Sequence, residues 1–241
     1  MLRLVLVKLI IPLAIIFIVT PKVCEAHQPR IVTPGLTEIT NPEVSQAFYG
    51  DLKGENNVFH LKSDKQFNLY VGIVIPDNKF ANKQISAEIY QQKNNKKKVL
   101  YILDGAKHTW EPFYEEFAQD NYLRGPEYKS PESTNTELKG NMVPAGDYYI
   151  RIYSPNNLGK YSLVTGYLEE FPPKEIANTL FVVPQLKFSF FNYSLLEIIR
   201  SPYILGPVIL ILGIMIIIYK SITKLFHKKT IKKSLKKEST K

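Results

Sequence analysis

Apolar and polar residues alternate through much of the middle of this chain. Within 66–76, Phe67, Leu69, Val71, Ile73 and Ile75 fall on one face, the period-two signature of a half-buried strand. The alternation recurs at Ile85, Ala87 and Ile89, and again where Tyr148, Ile150 and Ile152 oppose Tyr149, Arg151 and Tyr153. A short strand is expected over 58–61. The lysine- and asparagine-rich 93–97 reads as a turn, so 84–104 is expected to fold as a hairpin whose second strand covers 99–103. Residues 155–159, Pro-Asn-Asn-Leu-Gly, form a second turn, and 160–168 is expected to be the partner strand of 147–154. No long helical period appears between 40 and 168. Many short strands separated by turn signals predict a mainly β, antiparallel sandwich.

Two apolar runs break this pattern. In 1–26, Arg3 and Lys8 precede the apolar stretch 9–19, and small residues bracket Glu25 at Cys24 and Ala26. That is the layout of a signal peptide. Residues 203–219 are uncharged and almost wholly apolar, with Tyr203 and Tyr219 at the ends as interfacial aromatics. At about 1.5 Å per residue such a run reaches across a bilayer core with help from its flanks. Lys220, Lys224, Lys228 and Lys229 follow directly and place the tail on the cytoplasmic side. The expected organisation is a signal peptide over 1–26, an extracytoplasmic domain over 27–170, a juxtamembrane stalk over 171–202, a transmembrane helix over 203–219 and a basic tail over 220–241.

Charge follows the same division. The formal net charge is +9. The segment up to Ala26 holds Arg3, Lys8 and Lys22 against Glu25, and the tail from Lys220 holds nine lysines against Glu238. The middle carries 19 basic and 20 acidic residues. The basic balance belongs to targeting and anchoring segments, so nucleic acid is excluded as a partner. The tail lysines, interleaved with Ile222, Leu225, Phe226, Ile231 and Leu235, suit anionic lipid, at about 1 kcal/mol per lysine near the surface. The single cysteine, Cys24, lies in the leader, which leaves the extracytoplasmic part without disulfide, thiolate nucleophile or cysteine metal ligand.

Residues 105–145 are long for a connection. They hold Trp110, Phe113, Tyr114, Phe117, Tyr122 and Tyr128 together with Glu111, Glu115, Glu116, Asp120 and Glu127. So many aromatics argue against disorder, and the segment is expected to pack over one end or face of the sandwich. Two binding chemistries can be placed on it. Trp110, Tyr114 and Tyr122 are candidates to stack on sugar faces. Glu111, Glu115, Asp120 and Glu127 are candidates to converge on calcium, which takes six to eight oxygen ligands. Further on, Pro172-Pro173 marks the exit from the sandwich, 174–183 is expected to form a short helix ended by Pro184, and 186–191 carries aromatics towards the membrane.

Catalytic signatures do not appear. The histidines between the leader and the apolar run are His27, His60 and His108, and no His-Glu-x-x-His or Gly-x-Ser-x-Gly is present. His60 is expected on the solvent side of a strand.

The stretch 144–166, with Pro-Ala-Gly-Asp-Tyr-Tyr-Ile-Arg-Ile-Tyr-Ser followed by Gly-Lys-Tyr-Ser-Leu-Val-Thr-Gly, resembles the closing hairpin of bacterial pre-peptidase C-terminal domains. Ala47-Phe48-Tyr49-Gly50 through Phe59-His60-Leu61 resembles their opening strands. The whole chain, including 110–115 and Tyr122 with Gly125-Pro126-Glu127, is similar to an uncharacterised family of bacterial single-pass membrane proteins. The likeness covers roughly 40–190 and the anchor. It implies a small jelly-roll-like β-sandwich, of a kind that sometimes holds calcium in its loops, and says little about activity.

The expectation is therefore a non-enzymatic, membrane-anchored extracytoplasmic binding module, an accessory subunit or partner-recognition domain with a protein partner in the envelope. The alternative is a module for carbohydrate or calcium built on 105–128. No cofactor other than calcium is expected.

Overall fold

The computed structural model describes residues 27–93, 96–115, 119–129, 141–200 and 202–238. The expected signal peptide, the centre of the 93–97 turn, and Glu116 and Phe117 lie outside the described residues. The chain divides into two compact units, one of them 23–194 and the other including 195–241.

The first unit is a two-sheet β-sandwich. Its seven-stranded sheet runs β1 (Gln28–Ile31), β3 (Gln46–Lys53), β12 (Leu158–Thr165), β5 (Phe67–Pro76), β9 (Asp120–Lys129) and β8 (Glu111–Glu115), and β10 (Asn141–Val143) also pairs with β5. The five-stranded sheet runs β2 (Leu36–Ile39), β4 (Asn57–Ser63), β11 (Gly146–Tyr153), β6 (Ser86–Lys93) and β7 (Lys96–Leu103). Pairing is antiparallel except at β1–β3 and β2–β4, which are parallel.

The predicted alternation holds along β5: Phe67, Leu69, Val71, Ile73 and Ile75 all lie in the core. Phe59 and Leu61, Ile85, Ala87 and Ile89, and Tyr148, Ile150 and Ile152 face them from the other sheet. Edge-to-face ring pairs tie the sheets together. Phe48 meets Phe59 at 5.5 Å, and Phe67 meets Tyr148 at 5.5 Å. Each such pair contributes about 0.5–1.5 kcal/mol beyond its burial.

The expected 84–104 hairpin is present as β6–β7. Three other expectations change. First, β11 and β12 do not pair with each other. β11 lies between β4 and β6, and β12 between β3 and β5. The turn between them carries the chain across the core. Asn157 at φ 49° and Gly159 at φ 122° make the reversal, and Leu158 N–H donates to Ser154 Oγ at 3.0 Å within the turn. Second, 105–145 is not one connection. It contributes β8, β9 and β10, and the β9–β10 line continues along β5, with Lys129 opposite Tyr70 and Asn141 opposite Leu69. Four of its aromatics, Phe113, Tyr114, Tyr122 and Tyr128, are strand residues. Third, the short helix is α1 (Pro173–Ser189), which runs through Pro184. An interior proline costs about 3 kcal/mol. The burial of Val183 and Leu186 on either side of it offsets that cost.

The second unit contains α2 (Leu195–Arg200) and α3 (Pro202–Glu238). Many of the apolar side chains of α3 are exposed, among them Ile209, Ile211, Met215 and Ile218. Among the described residues no helix is long and apolar enough to cross a membrane. Within the expected span 203–219, the side chains of Tyr203, Ile204 and Pro207 lie outside the described residues.

Gly50 shows how tightly the core is built. It lies opposite Tyr161 in the β3–β12 ladder, and a Cβ there would sit 2.4 Å from the fully buried Tyr161 ring. Gly50→Ala is expected to destabilise the chain by about 1–3 kcal/mol through overpacking. Urea denaturation of the detergent-solubilised full-length protein checks this, and an unchanged midpoint would refute the packing account.

Candidate binding groove on the seven-stranded sheet

Alternation that buries one face of β3, β12, β5 and β9 in the core sends the intervening residues to the opposite face. Those residues line up across the sheet in two rows. Tyr49, Ser162, Val74 and Arg124 are successive ladder partners, and so are Ala47, Val164, Gly72 and Glu127. Together they form the floor of a groove of about 620 Å³. That volume lies within the ~300–1,000 Å³ usual for small-molecule sites.

One end of the groove is closed by α1 and the residues after it. Leu186, Phe190 and Phe191 seat on Tyr122, with Tyr49, Val74 and Phe113 packed around them. Phe190 meets Tyr49 edge-on at 5.1 Å, and Phe191 meets Tyr122 edge-on at 5.2 Å. Beneath the helix lies a second, small cavity of about 30 Å³, bordered by His27, Tyr49, Glu115, Asp120 and Tyr122, enough for roughly one water. Tyr70, Gly166, Tyr167 and Glu169 line the groove elsewhere.

Its polar chemistry is dominated by hydroxyls. Tyr49 and Tyr122 share a hydrogen bond at 3.1 Å, and Tyr70 OH donates to Glu127 Oε2 at 3.0 Å. His27 Nδ1 hydrogen-bonds Ser45 Oγ. The Tyr70 and Tyr167 rings tilt against each other at 4.9 Å, and the Arg124 guanidinium lies 4.8 Å over the Phe113 ring. Burial raises the hydroxyl pKa of Tyr49, Tyr70 and Tyr122. Burial and then the nearby Glu127 carboxylate push Tyr167 up to about 12. All four tyrosines therefore stay neutral at ordinary pH. Two hydroxyls are left over: Ser162 Oγ and Tyr167 OH are buried and find no partner among the described residues. Buried polar groups are normally paired; Asn68 Oδ1, Arg151 Nε and Thr165 Oγ1 are the other buried atoms without a partner among the described residues, and none of these three residues lines the groove.

The helix that closes the groove is held by charge. Lys187 Nζ donates to Asp120 Oδ1 at 2.8 Å, with side chains only 5% and 2% exposed. At the other end of α1, Glu175 accepts from Arg30 at 2.7 Å. Burial raises the Asp120 carboxyl above its ordinary value, against the pull of the Lys187 ammonium.

The residues expected to form a site are dispersed. Trp110 is 8% exposed and belongs to the core, where its indole N–H donates to the carbonyls of Lys83 and Gly105. Tyr114 is 53% exposed, while Tyr122 is 2% exposed at the closed end of the groove. Glu115 and Glu127 line the groove, Asp120 is in the ion pair, and Glu111 points to solvent at the sheet edge. Among the described residues no group of three or more His, Cys, Asp or Glu is placed to hold a metal. On the other sheet His60 is on the outer side, as expected, between Glu38 at 2.8 Å and Asp147 at 3.0 Å. In α3, Lys220 and Lys224 are exposed, and the side chains of Lys228 and Lys229 lie outside the described residues.

Sequence reasoning missed Tyr49, Tyr70, Gly72, Arg124, Ser162, Val164 and Tyr167. A signal was available in β5. The residues between its core positions are Asn68, Tyr70, Gly72 and Val74, too apolar for a freely solvated face, and strands covered on both sides lose the clean alternation.

No protein-family model matches the chain, and no curated protein matches it. Among solved structures it is similar to the pre-peptidase C-terminal domain of the collagenase from Bacillus anthracis, with 11% identity over 56% of this chain and 98% of that one, at a TM-score of 0.31.

Lys187→Met leaves the buried Asp120 carboxylate without its counter-ion, with the Tyr193 hydrogen bond still in place, and is expected to cost about 3–5 kcal/mol at neutral pH. Because the folded state already holds the Asp120 proton more tightly than the unfolded chain, stability falls as pH rises from the ordinary carboxylate value to the folded one. Loss of Lys187 extends that window upward, so the cost should shrink on acidification to near pH 4. Urea denaturation of both proteins at the two pH values checks this. An equal cost at both would show that Asp120 is not the group left strained.

Proposed function

We propose that this protein is a non-enzymatic binding module held at a membrane through the apolar run 203–219, with the groove on the seven-stranded sheet as its recognition face. The observation that carries the reading is the groove floor itself. Four strands present aligned aromatic, hydroxyl and charged side chains there, and the Ser162 and Tyr167 hydroxyls find no hydrogen-bond partner among the described residues. The anchor is supported by the apolar run 203–219, the lysines after it and the signal-like leader. In this orientation the sandwich is extracytoplasmic and the tail meets anionic lipid.

A ligand panel tested by thermal shift on the full-length protein examines the groove. The panel spans sugars, amines, carboxylates and nucleotides. At least one class should raise Tm for the natural chain, and Gly72→Phe or Val164→Phe, each confirmed folded by circular dichroism, should abolish the shift. A blank panel, or shifts that survive both variants, would overturn the groove reading. The anchor is checked separately by alkaline carbonate extraction of native membranes. The chain should stay in the pellet, and release into the supernatant would remove the anchor.

A second reading is favoured by β7. This edge strand exposes four consecutive large side chains, Val99, Leu100, Tyr101 and Ile102, after three lysines. Exposed edges of this kind pair with strands of other chains. It corresponds to the protein-partner role. Chemical cross-linking in native membranes through Lys96, Lys97 or Lys98 to a stoichiometric envelope protein supports it, and recovery of the chain alone removes it.

A further inference from the structure

We infer that the groove takes a neutral, hydroxyl-rich ligand, a short saccharide, with Ser162, Tyr167, Glu127 and Arg124 as its polar contacts. This rests on the groove being the recognition face and adds the chemical class of what it recognises.

The two leftover hydroxyls come first. Ser162 is 1% exposed, lines the groove, and its Oγ lacks a partner among the described residues. Tyr167 OH is in the same position. A hydroxyl both donates and accepts, and its complement is another hydroxyl. An apolar occupant would strand both groups in a dry site and incur their full desolvation penalty.

Charge narrows the class further. The lining holds Arg124 and His27 alongside Glu115, Glu127 and Glu169. An anion would meet three carboxylates, and a cation would meet the Arg124 guanidinium. Arg124 and Glu127 occupy neighbouring rows on β9, opposite Val74 and Gly72 of β5. One offers only donors and the other only acceptors. Glu127 already accepts from Tyr70, and a carboxylate has further lone-pair sites. Adjacent donor and acceptor groups match vicinal hydroxyls, each of which can donate to the carboxylate or accept from the guanidinium.

The apolar parts fit the same ligand. The Tyr70 and Tyr167 rings offer surface for the C–H faces of a sugar ring. Gly72 lies between them and Arg124 with no side chain, and a Cβ there would come within 2.7 Å of Tyr70 Oη. The glycine thus keeps the floor open beside the tyrosine. Four strands about 4.8 Å apart give a floor roughly 14 Å wide, long enough for more than one sugar ring.

The test is calorimetric titration of the full-length protein in an oxyethylene detergent, which has no sugar headgroup. The probes are maltotriose, cellotriose, chitotriose and mannotriose, with spermidine and citrate as the charged comparison. At least one neutral trisaccharide should bind. Ser162→Ala and Glu127→Gln should each weaken it about tenfold, the effect of one lost hydrogen bond in such a site. Ser162→Ala should also leave Tm unchanged or higher, since it removes an unpaired buried group, and Tyr167→Phe should reproduce its binding defect. If only spermidine or citrate binds, and the binding is lost in Gly72→Phe, the saccharide assignment is overturned while the groove reading stands. If a trisaccharide binds all variants equally, or if none of the four binds, the assignment is overturned as well.

Discussion

Strand β5 has to bury both of its faces, and the first unit is arranged around that requirement. On one side, Phe67, Leu69, Val71, Ile73 and Ile75 need the five-stranded sheet as a lid. On the other, Val74 of β5, Tyr49 of β3 and Tyr122 of β9 form an apolar cluster that needs a cover of its own. The chain provides it by returning after β12 as α1. Leu186, Phe190 and Phe191 close one end of the outer face, and the groove lies beside them. The groove is thus the part of a covered sheet face that the cover does not reach.

How α1 is held follows from the same geometry. Its apolar side chains alone would let it slide over a surface of flat rings. The Asp120–Lys187 pair, almost fully buried, fixes one register between helix and sheet. Such a pair adds little net stability, because desolvation cancels much of the attraction, but breaking it is costly. Arg30 and Glu175 tie the other end of the helix to β1 in a more exposed setting, where the contribution is small.

Within the groove, neutral tyrosine hydroxyls, a serine and a donor–acceptor pair of opposite charge lie on a backbone fixed by ladder hydrogen bonds. Strand register places Tyr49, Tyr70, Tyr122, Ser162, Arg124 and Glu127, while Tyr167, just beyond β12, is held by its backbone N–H, which donates to the Glu43 carbonyl. Five buried polar atoms of the sandwich find no partner among the described residues, and two of them, Ser162 Oγ and Tyr167 OH, belong to residues that line the groove.

The amino-acid sequence by itself determined the class of the fold. Period-two alternation requires a half-buried strand wherever it occurs, and the inward sets of β5, β6 and β11 were legible because each strand reports its own burial through its own residues. The β6–β7 hairpin was legible for the same local reason. The tertiary structure alone decided which strands are neighbours. The 144–166 stretch reads as a hairpin from its turn, yet its strands join opposite sheets, because the edges of β12 are taken by β3 and β5, which lie far away in the chain. The candidate site has the same origin. Trp110, Tyr114 and Tyr122 are close in sequence but diverge in space, to the core, to solvent and to the groove. Ser162, Gly72 and Glu127 come from three separate strands. Lateral alignment across a sheet depends on register between distant segments, and local pattern carries no record of that register.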